Sequence, residues 1–268
     1  MPELPEVETI RRQLEPALIG RLVVDAWTFG TPKFAAACDI IGAHIDAVGR
    51  RGKYLICDLD DDRQLVIHLG MTGVLRISSG TAERDPHLRA SWTLDDSTVV
   101  EFSDTRRFGR IAVVPTGNYR TLATLNAIGP EPLSDDFNVV DFHRSLNSSN
   151  RSIKTQLLSQ RPVAGIGNIY ADEALWRARV HPSSRRIGRP ATHRLHAAIR
   201  DVLAESIGRR GTTLRDYRTF SGDRGANQNS LQVYGRSGEP CDKCGTELRA
   251  FTLDARTTTY CPRCQKRS

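Results

Sequence analysis

No stretch of this chain is apolar and long enough to span a bilayer, and its start lacks the basic-then-apolar pattern of a secretory signal. A membrane-embedded or exported protein is therefore not expected, and the compartment implied is the cytoplasm. No internal repeat is visible. Cysteine is sparse: six in 268 residues, and only Cys38 and Cys57 stand outside two CxxC pairs. These two read as ordinary semi-buried residues. Against those absences, 39% of the residues are hydrophobic, enough for a sizeable core and about two domains, and too many for a disordered chain.

The net charge of +7 is unevenly placed. Residues 185–268 hold 17 Lys or Arg against 8 Asp or Glu, whereas residues 1–184 balance to −2. Such a gradient suggests a polyanion-binding end joined to a nearly neutral core, with a solubilising surface as the equal alternative.

Pro5 suits an early helical position, and Glu3, Glu6 and Glu8 suit the first turn of a helix that opens the chain. Short β-branched runs follow, among them LVVDAWTF, KYLICDL, QLVIHLGM, GVLRIS, STVVEFSD and RIAVVP, parted by Gly, Asp and Ser. Residues 2–128 are thus expected to form one helix plus an antiparallel sandwich or barrel. After the turn-rich GPEPLSDDF the texture turns helical. In THRLHAAIRDVLAESIGRRG, Leu195, Ile199, Val202, Leu203 and Ser206 recur at helical spacing, with Gly211 expected to close the run. The domains expected are a sandwich over 2–128, a mainly helical region with a polar loop over 129–230, and a cysteine-bearing segment over 231–268. The fold class is α+β.

CDKC at 241–244 and CPRC at 261–264 are separated by sixteen residues. That spacing lets Cys241, Cys244, Cys261 and Cys264 present four thiolates tetrahedrally to one zinc ion, with a β-hairpin between the pairs. Two disulfides or a redox pair are the alternatives, and both sit poorly with a cytoplasmic chain lacking a thioredoxin-like βαβ context. Four protein ligands leave no open position, so the metal is expected to be structural and to supply on the order of 10 kcal/mol of folding energy. Arg249 and Arg256 decorate the hairpin, as nucleic-acid contacts or as a solvated face. IKTQLLSQRPVAGIGNIYADEALWRARVHP reads as helix, glycine turn, helix, with Asn168 expected to cap the second helix beside an anion site. A glycine turn before a helix is by itself weak evidence for such a site.

PELPEVET, RRGKY, HLGMTG, DTRRFG, GIGNIYADEALWRARVHP and the CxxC pairs occur in the order seen in formamidopyrimidine-DNA glycosylases, which this chain resembles over essentially its whole length. Endonuclease VIII is their sister group. The resemblance implies an N-terminal helix and β-sandwich, a helix-two-turn-helix region and a zinc-finger hairpin. It also implies a bifunctional base-excision-repair enzyme that excises an oxidised base and nicks the strand by β,δ-elimination. Removal of Met1 would free the Pro2 nitrogen to attack the sugar C1′ and form an iminium, which acidifies the C2′ hydrogen. With generic pKa values, roughly 300-fold more of an α-amine than of a lysine is neutral near pH 7, an upper guide for proline.

By the same resemblance Glu3 is the acid that assists ring opening or base departure. Glu6 is a second acid near the amine or a water, with a first-turn helix acid as its competing role. Lys53 moves protons in β-elimination, and Arg256 is linked to δ-elimination. His68, His87, Arg106, Arg107 and Asn168 match DNA-contacting positions. Met71, Arg106 and Phe108 match the trio that fills the stack when a nucleotide is extruded; on composition alone Met71 and Phe108 would be core. Further expectations are one structural zinc, no organic cofactor, double-stranded DNA with oxidised bases or abasic sites as partner, a monomer, and a bacterial, nucleoid-associated setting.

Three departures stand out. Ser159 replaces an acid or amide, and Asn150, with Arg151 beside it, stands where relatives carry a basic DNA contact. Ala226 and Asn227 replace two aromatic residues of the lesion-capping loop. Oxidised purines and formamidopyrimidines are the expected substrates. An endonuclease VIII-like pyrimidine specificity and a non-catalytic zinc protein that binds DNA are the alternatives.

Overall fold

A computed structural model describes residues 2–78 and 85–267. Met1, whose removal the resemblance requires, lies outside the described residues. Helix α1 (Leu4–Leu18) opens with a capping box, in which the Glu3 N–H donates to Glu6 Oε2 at 2.7 Å. Leu4, Val7, Ile10, Leu14 and Leu18 form its buried stripe.

Eight strands follow: β1 (Val23–Thr28), β2 (Ile45–Arg51), β3 (Tyr54–Leu59), β4 (Arg63–His68), β5 (Gly73–Ser78), β6 (Leu88–Leu94), β7 (Val99–Asp104) and β8 (Arg110–Pro115). They form two four-stranded antiparallel sheets, ordered β1-β6-β7-β5 and β2-β3-β4-β8. One core cluster takes Val7 and Leu14 of α1, Leu55 and Ile67 of one sheet, and Trp92 and Phe102 of the other. The β-branched runs thus become strands, while β2 and β6 escape that signal. IDAVGRR is diluted by Gly and Arg, and LRASWTL by Ala and Ser, although burial of Ala90, Trp92 and Leu94 against half-buried Ser91 and Thr93 shows the period-two alternation of β6.

The helical part comprises α2 (Ala123–Asn126), α3 (Val139–Asn147), α4 (Ile153–Leu158), α5 (Asn168–Ala178) and α6 (Arg189–Gly208). In α6 all five periodic residues are buried, but the helix ends at Gly208, so Gly211 does not close it. Gly211 lies in the following loop at φ +78°, where a Cβ would come within 2.8 Å of Glu6 Oε1. A second correction concerns α5: its N-cap is Gly167, and Asn168 is the first helical residue. Gly165 supplies the reversal at φ +82°. Strands β9 (Arg249–Leu253) and β10 (Arg256–Tyr260) form the hairpin between the cysteine pairs. Its two turn residues, Asp254 and Ala255, both have positive φ, as a tight turn matched to strand twist requires.

The chain divides into two compact units. One runs up to Asn126 and includes Arg209–Gln228; the other comprises Ala127–Gly208 and Asn229–Ser268. The polar loop, expected with the helical region, therefore groups with the sandwich. The cause is local: Thr212 N–H donates to Glu6, Phe220 N–H donates to Gln13, and Tyr217 and Phe220 join the sandwich core. Among the described residues no helix is long and apolar enough to cross a membrane.

Candidate functional site

In the first unit, Pro2 and Glu3 are buried where α1 starts. Five residues after Glu3, Glu8 accepts from Arg12 Nε at 2.8 Å and Arg50 Nε at 3.0 Å. Burial raises its carboxyl pKa, but those two guanidinium bonds outweigh it and hold the group below its ordinary value. Arg50 Nη1 in turn donates to the Gly52 carbonyl at 3.0 Å. Gly52 is at φ +56° in the β2–β3 turn, directly before Lys53, which is only 5% exposed. One carboxylate on α1 thus fixes the turn that carries the lysine.

From Lys53 the chain enters β3, where Tyr54 pairs with His68 of β4 and His68 with Arg110 of β8. Burial, then the charges of Lys53 and Arg110, lower the His68 pKa to about 4. Its Nδ1 accepts from the Gly70 N–H at 3.2 Å, so the neutral ring carries its proton on Nε2 as a hydrogen-bond donor.

Glu6 is 1% exposed. Its Oε2 takes the Glu3 N–H and its Oε1 the Thr212 N–H, each at 2.7 Å. Those bonds make it a tie between the start of α1 and the root of the polar loop that follows α6. In that loop Ala226 is exposed and Asn227 is 3% exposed. The Asn227 amide donates to Thr212 Oγ1 at 2.9 Å. The residue at the second aromatic position therefore braces the loop from within, a long-range pairing with no signature in local sequence.

His87, Arg106 and Arg107 are exposed. So are Met71, at 36%, and Phe108, at 49%; neither is core. The Arg106 guanidinium lies 4.7 Å from the Phe108 ring centre, and that of Arg107 lies 4.9 Å from the Phe29 ring.

In the second unit, Asn150 and Arg151 are exposed beside a cavity of about 650 Å³ that also takes Ser152, Thr155, Arg185 and Arg267. Three arginines against one carboxylate, Asp254, leave this cavity net positive, which suits an anion. Asn150 Oδ1 accepts from Arg186 at 3.3 Å, so a further cation sits beside Asn150. Asn168 Nδ2 donates to the Thr257 carbonyl of β10 at 3.0 Å. Arg256 is exposed at the start of β10.

The ligand sulfurs of Cys241, Cys244, Cys261 and Cys264 all lie within 4.8 Å of one another, and none is in a disulfide. Burial and neighbouring sulfurs push the Cys264 thiol up to about 12, while hydrogen bonds with Thr246 bring Cys244 down to about 6. Gathering four thiolates so closely calls for a divalent cation, and an all-thiolate set fits zinc. These four cysteines form a structural zinc site.

Sequence reasoning missed what holds this hairpin to α5. Asp172 and Lys154, both with fully buried side chains, pair at 2.6 Å. Asp172 also accepts the Thr259 N–H at 3.0 Å, and Lys154 donates to Thr258 Oγ1 at 2.9 Å. Glu173 accepts backbone N–H groups of Gln232, Val233 and Tyr234, and Trp176 Nε1 donates to Cys241 Sγ at 3.3 Å. The available signal was two adjacent acids flanked on both sides by apolar residues, Ile169–Ala171 and Ala174–Trp176, which makes sense only if both are buried and bonded.

Comparison with known proteins agrees with this geometry. The family model of the formamidopyrimidine-DNA glycosylase N-terminal domain matches residues 1–111, that of the formamidopyrimidine-DNA glycosylase H2TH domain residues 128–218, and that of a zinc finger found in FPG and IleRS residues 238–267. A formamidopyrimidine-DNA glycosylase of Deinococcus radiodurans is 41% identical over 99% of this chain and 97% of its own length. The crystal structure of the MutM (Fpg) protein from Thermus thermophilus superposes with a TM-score of 0.92 at 42% identity, covering all of both chains. A Lactococcus lactis Fpg variant, solved in complex with Fapy-dG-containing DNA, gives 0.92 at 36% identity over 99% of this chain and 100% of its own.

Proposed function

The chain belongs to the formamidopyrimidine-DNA glycosylase family, the oxidised-purine base-excision glycosylases with AP-lyase activity, and on that premise we propose how its own residues carry the reaction. With Met1 removed, the Pro2 nitrogen attacks C1′ of the lesion nucleotide as Glu3 protonates the sugar ring oxygen or the departing base. The base leaves and an iminium joins Pro2 to the sugar. Lys53 then assists removal of the acidified C2′ proton, which breaks the 3′ C–O bond, and Arg256 assists the second elimination at the 5′ side.

The observation that carries this reading is the fixed corner of the first unit. Pro2 and Glu3 are buried at the start of α1, and the Glu8–Arg50–Gly52 chain of bonds anchors the Lys53 turn to the same helix. An acid and a lysine turn held to one helix in advance are what a glycosylase/lyase needs to position its reacting groups. Lys53 and the neighbouring His68 would meet the sugar and its phosphates, with His68 as a neutral donor. Met71, Arg106 and Phe108 would fill the vacated stack, while His87, Arg107, Asn168, Asn150 and Arg151 line the backbone.

Division of labour cuts across the three sequence segments: 2–128 would carry the chemistry and the stack-filling trio, the 209–228 loop that groups with the sandwich would cap the lesion, the helices within 129–208 would add DNA grip, and the zinc hairpin in 231–268 would supply phosphate contact. Double-stranded DNA bearing oxidised purines or abasic sites is the partner. A single chain carries every group named, so it acts as a monomer on the bacterial chromosome, in the cytoplasm. Borohydride reduction on an abasic duplex tests the assignment: Met1-free protein should be trapped covalently, and Pro2→Gly should lose most of the trapped product. Absence of an adduct from protein shown by mass to lack Met1 would sink it.

A further inference from the structure

Met71 and the Arg106–Phe108 segment sit on two different loops, after β4 and after β7, yet must enter a DNA stack together. Both loops converge on Asp104, the last residue of β7, which is 0% exposed. Its Oδ1 accepts from Thr72 Oγ1 at 2.5 Å, next to Met71 in sequence. Its Oδ2 accepts from the Gly109 N–H at 2.7 Å, next to Phe108. The Thr72 hydroxyl also accepts the Arg106 N–H at 3.0 Å.

The backbone of Asp104 adds a third segment: its N–H donates to the His87 carbonyl at 2.8 Å, and its carbonyl accepts from buried Arg89 Nε at 3.0 Å. The two wedge loops are also in backbone contact. A Cβ on Gly70 would lie 2.5 Å from Gly109 N and from the Phe108 carbonyl carbon, so no side chain separates them.

We propose that Asp104 is a positioning residue for base extrusion, its carboxylate joining the Met71 loop and the Arg106–Phe108 loop into one preassembled wedge; this rests on the assignment of those three residues to the vacated stack. The physical reason is entropic. Side chains more than a third exposed have rotamer and loop freedom to lose when they enter DNA, and a clamp that orders their backbones in advance removes part of that loss from the extrusion step. The clamp touches no substrate, so its effect should track extrusion, not elimination.

Full-length, Met1-free protein is assayed under single turnover for excision from an 8-oxoguanine:C duplex and for nicking at a preformed abasic site, where no stacked base need be expelled. Thr72→Val, which keeps shape but deletes the hydroxyl, should slow excision on the order of tenfold while nicking stays within about twofold. Thr72→Ser should restore excision, and Asp104→Asn should slow it. Two results would overturn the clamp alone: Thr72→Val and Asp104→Asn excising at parental rates while Met71→Ala and Phe108→Ala are slow, or Thr72→Val slowing both activities equally. Parental excision by Met71→Ala and Phe108→Ala would remove the wedge assignment itself and the clamp with it.

Discussion

The sandwich and the cysteine hairpin face one problem, holding exposed candidate contact residues still, and meet it by unequal means. The sandwich has a continuous core reaching from α1 through both sheets, so a few polar ties at its edge, such as Glu8 to Arg50 or Asp104 to Thr72, suffice to fix its loops. The hairpin has almost no core: its cluster comprises Trp176, Val233, Leu248 and two buried cysteines, with Cys244 and Cys264 packed against it. There, metal and carboxylates stand in for hydrophobic burial. Polar ties thus refine a sandwich that already folds on its own core, whereas in a hairpin too small for a core they become conditions of folding.

The largest effect should come from removing the metal. Cys244→Ser should lose zinc and unfold the hairpin, lowering affinity for an abasic-analogue duplex by more than about tenfold at 0.1 M salt, because the phosphate contacts proposed for Arg256 would go with it. Hydrogen exchange should show the sandwich strands protected as before. Tight binding by zinc-free protein, checked by metal analysis and fluorescence anisotropy, would mean the hairpin stands on something other than its metal.

An intermediate effect is expected at the buried Lys154–Asp172 pair. Asp172→Ala strips the partner from a fully buried ammonium and should cost the second unit about 3–5 kcal/mol in urea unfolding. Replacing both residues by apolar ones of similar volume, Lys154→Met with Asp172→Leu, should cost less than the single change. If the double variant is the less stable, the bonds from Lys154 to Thr258 and from Thr259 to Asp172, not the missing charge partner, dominate.

What the sequence disclosed follows the same divide. Features set by local chemistry were legible: the Pro5 and Glu start of α1, the β-branched strands, the buried stripe of α6, the CxxC hairpin. Features set by partners distant in sequence were not. Glu6 reads as a helix acid until Thr212 arrives 206 residues later. Gly211 reads as a helix stop but is kept small by the Glu6 carboxyl, and Asn168 reads as a cap but reaches β10. Most candidate site residues were legible only through motif order. Met71 and Phe108 are apolar and would be placed in the core by composition, yet both are exposed, and the Asp104–Thr72 bond that orders them leaves no mark in either motif.

The smallest effect separates the two units by pH. The hairpin weakens in acid because thiolates must be deprotonated to hold zinc, whereas the sandwich carries its own acid-sensitive group in His68. With a folded pKa of about 4 against an ordinary 6.5, the unfolded chain binds the extra proton between those values. Sandwich stability should therefore be full above pH 6.5 and fall as pH drops toward 4, by at most about 3 kcal/mol, less to the extent that water reaches the ring. His68→Asn can still accept the Gly70 N–H but cannot titrate there, so its sandwich strands should show a flatter pH dependence of hydrogen-exchange protection while the hairpin response is unchanged. An unaltered slope in the sandwich would place the acid-sensitive group elsewhere and would break the contrast between a metal-bound hairpin and a sandwich that carries a neutral, half-buried imidazole.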